Sequence, residues 1–246
     1  MSETGTALHD PTLRTPLLAA AISGFIYFLG AFVPQVDGPD VETATAAQIR
    51  TFLAAHDSGI RIGAAAGAVA IPLVLVFTTS LARLIRAQVP GSQLADLVVG
   101  GGILVAVWHW VVIAGTSTTL VQRLDRYDLA RVDDATLRGW YGLSNFTHLF
   151  ADLGMCGMAV VMAAASIAIL RTSFVARWLG WLGIVLATGG AIGTIGVMTA
   201  VRPLSYAWFV GIFGWWLWIL AVAVGCTVRL RRSRRASTVT TAPQPA

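Results

Sequence analysis

Lysine is absent from this chain, cysteine occurs twice, histidine four times, and charged residues of every kind fill only 12% of the 246 positions. Each shortage excludes something. A soluble domain carries charge on about a quarter of its residues, so a chain with 12% charged and 56% hydrophobic residues does not have water as its main solvent. The two cysteines, Cys156 and Cys226, both fall inside apolar runs, which excludes a disulfide framework. With no lysine to follow them, Gly100, Gly101 and Gly102 cannot form a phosphate-binding loop; inside an apolar run they read as close helix packing. That all 17 basic residues are arginine reads as codon usage in a GC-rich genome. The net charge of +5 points to membrane topology and away from nucleic acid, because Arg229, Arg231, Arg232, Arg234 and Arg235 crowd together near the C-terminus.

What the chain has in quantity is long apolar runs. A helix needs about 20 apolar residues to cross a hydrocarbon core of about 30 Å. Six runs come close to that: 16–33, 59–85, 94–120, 146–170, 178–201 and 206–228. In lipid a backbone must satisfy its own hydrogen bonds, and the ten-residue alternation of a barrel is missing. The predicted fold is therefore all-α, a polytopic transmembrane bundle of six helices spanning 16–228. The leader, 1–15, carries Glu3 and Asp10 and no small-residue cleavage pattern follows it, so the first run is expected to be a retained helix.

Between the runs the composition shifts abruptly. Residues 41–55 place Ile49, Phe52 and Leu53 at helical spacing, which predicts a short amphipathic helix. The connection 121–145 interleaves Arg123, Arg126, Arg131 and Arg138 with Asp125, Asp128, Asp133 and Asp134, as a solvated loop with a helical turn would. The basic tail, 229–246, is expected to be disordered. Counting arginines on alternate sides sets the orientation. With the N-terminus inside, ten lie in the cytoplasm (Arg14, Arg83, Arg86, Arg171, Arg177 and the five of the tail) against seven outside. Both termini are thus expected in the cytoplasm of a multi-pass cell-membrane protein.

Small residues suggest how the helices meet. Gly59, Gly63 and Gly67 form a stripe on the second helix, which Pro72 is expected to kink, and Gly189 and Gly193 repeat the four-residue spacing on the fifth. Such stripes serve packing within a bundle or contact with a second copy or another membrane protein.

Ionisable groups inside a membrane are costly and mark candidate sites. The fourth run begins with Asn145, His148 and Asp152, followed by Cys156, and spacings of three and four put them on one helix face. His109 lies on the third helix between Trp108 and Trp110. As a proton relay or ligand site the set is His109, Asn145, His148 and Asp152; as a metal site it is His56, His148, Asp152 and Cys156. The plainer reading makes His148 and Asp152 a mutually satisfied pair and bonds His109 to a backbone carbonyl. No metal signature has this spacing, so no cofactor is expected. No general base pairs with the hydroxyls of 116–119, so no nucleophile is assigned either.

The residues Phe52, Leu53, His56, Leu81, Leu84 and Arg86, Gly100 to Gly102, and the run Leu170, Arg171, Thr172, Ala176, Arg177, Trp178, Leu179, Gly180, Trp181, Leu182, Gly183 resemble a group of actinobacterial integral membrane proteins of unknown function. The resemblance extends from the first helix to the fifth. This chain has Ala176 where those proteins often have proline. The resemblance implies a multi-helix bundle and carries over no catalytic residue. Three functional classes follow: a non-enzymatic interaction or small-ligand module, which has the most support; a small proton-coupled transporter using His109, His148 and Asp152; and an intramembrane metalloenzyme.

Overall fold

The computed structural model describes residues 13–31, 38–40, 43–112, 128–146 and 151–240; for 31, 112, 144–146, 151–153 and 234–240 it describes the backbone alone. Every regular element among them is a helix. In chain order these are α1 (Arg14–Ala31), α2 (Ala46–Gln88), α3 (Leu94–Val112), α4 (Asp134–Phe146), α5 (Ala151–Thr172), α6 (Arg177–Met198), α7 (Arg202–Ser205) and α8 (Ala207–Thr240). Five of them, α2, α3, α5, α6 and α8, are long and apolar enough to cross a membrane, and α1 is a shorter apolar helix.

The six long helices form a closed ring in which each packs on its neighbours in the order α1, α2, α3, α5, α6, α8 and back to α1. Partners run antiparallel. Gly101 of α3 meets Gly157 of α5, and Trp108 further along α3 meets Gly154. The ring is filled: Phe77, Met158, Met162, Trp215 and Trp218 are fully buried at its centre. Because lipid chains are as apolar as leucine, such a bundle is held by close packing and interhelical hydrogen bonds. Glycine permits the closest approaches. A Cβ on Gly101 would lie 2.8 Å from the Gly157 carbonyl oxygen, and one on Gly211 of α8 would lie 2.6 Å from the Cα of Gly190 on α6. The outer face exposes Leu29, Val185, Phe213 and Leu217, among many large apolar side chains, a far larger apolar surface than a soluble monomer leaves bare.

Three features differ from the sequence expectation. The amphipathic segment and the second membrane run meet as two helices across a kink, labelled together α2 (Ala46–Gln88), and the difference is where that kink falls. Its non-helical backbone falls at His56 (φ −120°, ψ 17°), while Pro72, expected to mark the kink, lies within helical geometry. The charged connection holds a 13-residue helix, α4, in place of a single helical turn. Finally, α8 continues as helix to Thr240, through most of the tail expected to be disordered.

The protruding start of α2 and α4 build a small cap with a core of its own: Ala44, Ala46, Ile49, Leu53, Leu137 and Tyr141. Local chemistry explains both helix starts. Thr45 and Gln48 form a reciprocal capping box on α2. Asp133 caps α4, accepting the Thr136 amide at 2.9 Å. Arg50 ties the two together, donating to the carbonyls of Leu129 (3.0 Å) and Val132 (2.5 Å) and pairing with Asp134 at 2.8 Å. The Tyr141 hydroxyl donates to the Pro39 carbonyl at 2.7 Å.

Candidate functional site

Among the described residues, a polar constellation inside the bundle joins three helices. His109 of α3 has its Nδ1 2.8 Å from the Val105 carbonyl and its Nε2 3.1 Å from the hydroxyl of Tyr27 on α1. The Trp215 indole of α8 donates to that same hydroxyl at 3.1 Å. For a neutral imidazole the partners set the direction of each bond. A carbonyl only accepts, so Nδ1 carries the hydrogen; Nε2 of the neutral ring then accepts from Tyr27, whose oxygen in turn accepts from the indole. The rings pack edge to face, Tyr27 with His109 at 5.5 Å and with Trp215 at 6.4 Å between centroids.

Its position follows from helix geometry. Ser23, Gly24 and Tyr27 share the inward face of α1, where a Cβ on Gly24 would meet Ala223, Phe77 and Ile219 at 3.0–3.3 Å. That close approach brings α1 against α2 and α8 and lowers Tyr27 onto Trp215. Beside His109, Trp108 stacks edge-on at 4.4 Å, and its buried Nε1 has no hydrogen-bond partner among the described residues.

Of the remaining predicted site residues, His56 and Cys156 are not brought into this group. His56 is exposed at the bend of α2, its ring 2.9 Å from the Phe52 carbonyl and packed on the Phe52 ring. Cys156 is exposed on α5. His148 lies outside the described residues, as do the side chains of Asn145 and Asp152. Among the described residues no three histidine, cysteine, aspartate or glutamate side chains converge as a metal site. For the glycine stripes, Gly193 packs on the backbone of Trp208 and Gly189 on Val210, whereas a Cβ on Gly63 would meet nothing within 4 Å.

Tyr27 and Trp215 were not among the candidate residues from the sequence. A signal for Tyr27 existed: a hydroxyl within an apolar run needs a partner there, because no water supplies one. No protein-family model, curated protein or solved structure matches this chain.

Proposed function

We propose that the chain is a six-span protein of the cell membrane, with α1 as the sixth span and both termini in the cytoplasm, and that it works as a non-catalytic module binding a small ligand or another membrane protein. One observation carries the non-catalytic part. The intramembrane hydrogen-bond chain begins at an indole N–H, which only donates, and ends at a backbone carbonyl, which only accepts. Among the described residues that chain offers a proton neither source nor sink, and we read His109 as a strut between α1, α3 and α8. The cap on α2 and α4 supplies a folded polar platform for a partner. We also take the chain to be a relative of the actinobacterial proteins it resembles.

Charge supports the orientation. At the end bearing the α2–α3 and α5–α6 turns, eight arginines with described side chains (Arg14, Arg83, Arg86, Arg171, Arg177, Arg229, Arg231, Arg232) accompany one such aspartate, Asp96. The other end is balanced, and an arginine excess belongs on the cytoplasmic side. Reporter fusions at the α1–α2, α2–α3 and α5–α6 connections and after Thr240 test this; the first is expected outside and the other three inside.

The strut is tested by Tyr27→Phe, His109→Gln and the double variant, reconstituted in liposomes with a pH-sensitive dye. Each single change is expected to cost about 1 kcal/mol of stability, as bonds between membrane helices do. The double should cost less than the sum, and no variant should change proton flux. A wild-type proton flux abolished by His109→Gln at unchanged stability would install the proton-coupled carrier instead.

A further inference from the structure

A cavity of about 500 Å³ opens at the arginine-rich end, between the α5–α6 turn and the last membrane turns of α8. Its two halves differ chemically. One is cationic: Arg177, Arg229 and Arg232 line it, and none of the three pairs with a carboxylate among the described residues. The other is apolar, with Val224 and Val228 of α8 exposed on the outer, lipid-facing side.

Local structure holds the cavity open. Ser173 takes a left-handed conformation (φ 54°) that ends α5 and turns Phe174 and Val175 inward, where both are buried. Arg229 donates to the Phe174 carbonyl, which fastens the turn to α8 and leaves most of its five N–H donors unspent. Helix α6 starts at Ala176 with no side-chain cap, so its first-turn amides lack a side-chain acceptor. Trp178, 60% exposed, stands at the rim, the position of tryptophan at the headgroup level.

We propose that this cavity is a binding site for an anionic phospholipid, with the phosphate held among Arg177, Arg229 and Arg232 and an acyl chain laid along Val224 and Val228. A soluble anion would use only the cationic half; a zwitterionic lipid would bring a cation to a site with no carboxylate among the described residues. The chemistry of both halves together selects an amphiphile with net negative charge. The site is distinct from the His109 chain and from the choice of cytoplasmic side.

Native mass spectrometry of the full chain released from phosphatidylcholine nanodiscs containing phosphatidylglycerol tests it. The wild type should retain phosphatidylglycerol in preference to phosphatidylcholine. Arg177→Gln with Arg232→Gln, which leaves the Arg229 fastening intact, should weaken retention roughly thirtyfold. Arg83→Gln with Arg231→Gln removes the same charge from this end outside the cavity and should change little. Val228→Trp, which keeps every arginine and fills the apolar half, should also expel the lipid. Inorganic phosphate should not compete. Equal losses in the two arginine pairs would reduce the effect to diffuse surface charge, and competition by phosphate would make the site one for a soluble anion; either overturns the proposal. So would equal retention of phosphatidylcholine, or a Val228→Trp variant that holds the lipid unchanged. None of these results touches the fusion or proton-flux tests.

Discussion

At the cap end of the bundle, five arginines with described side chains (Arg50, Arg61, Arg131, Arg138, Arg202) meet five such aspartates (Asp40, Asp57, Asp128, Asp133, Asp134); at the opposite end, eight meet one. The same side chain therefore does different work at each end. Arg50 is three-quarters buried against carbonyls and a carboxylate of its own chain, and Arg61 pairs with Asp57 one turn back at 3.0 Å. At the other end Arg86 pairs with Asp96, while Arg83, Arg177, Arg231 and Arg232 are exposed and outside any described ion pair. Balanced charge next to apolar side chains lets the cap fold on itself. Unbalanced charge cannot be spent internally and is left for the membrane surface.

If that contrast is right, damage to the cap should be local and damage to the arginine end should barely register in stability. The largest effect is expected from Leu137→Ala. Leu137 is 1% exposed in a core of only six buried residues, and truncating a buried leucine costs about 2–5 kcal/mol. Hydrogen exchange should accelerate in α4 and the first turns of α2, with α3 and α5 unchanged. Exchange that accelerates throughout the bundle would show the cap and the ring to be a single cooperative unit.

Next comes Arg50→Ala. It removes two hydrogen bonds to carbonyls and an ion pair whose arginine side chain is 28% exposed. Bonds to a charged donor contribute about 1.5–3 kcal/mol each where well buried, and the exposed Asp134 partner adds little. A loss of about 2 kcal/mol, confined to the cap, is expected. Arg83→Gln with Arg231→Gln should by contrast stay within about 0.5 kcal/mol, measured by thermal melting in one detergent, because neither guanidinium holds a partner among the described residues.

The contrast also explains which parts of the molecule the sequence made legible. Apolar runs report lipid exposure directly, so the helices that line the ring were readable from hydropathy, and the arginine-rich end from simple counting. The cap was not. Its two helices are short, and their pairing depends on Ile49 and Leu53 meeting Leu137 and Tyr141 across almost ninety residues of chain. The break near His56 was legible from the change of composition between 41–55 and the apolar run that begins at Gly59, whereas Pro72 misled as a kink site because its backbone stays helical. The polar chain was half legible. His109 stands out as an ionisable group in an apolar run, but its partners Tyr27 and Trp215 are amphipathic residues that the same run accommodates as anchors or filler. Hydropathy says which residues lie in the membrane; it does not say which faces of α1, α3 and α8 meet.

The smallest effect separates the ends by their response to acid. Asp133, fully exposed at the start of α4, has its carboxyl held below the ordinary range, first by the Thr136 hydroxyl and then by the Thr136 amide. Its folded pKa is lower than its unfolded pKa, so the stabilisation it gives the cap is fully present above the unfolded value and is lost as pH falls through the folded one. The opposite end carries a single described carboxylate, that of Asp96. Acidification through the carboxylate range should therefore loosen α4 slightly while leaving the arginine end unchanged, and Asp133→Asn, which keeps a capping oxygen without the charge, should flatten that response. Exchange rates in α4 of the two proteins across that range decide it. If wild type and Asp133→Asn lose protection in parallel, the acid sensitivity belongs to other carboxylates of the cap, and the capping bond at Asp133 is only geometric.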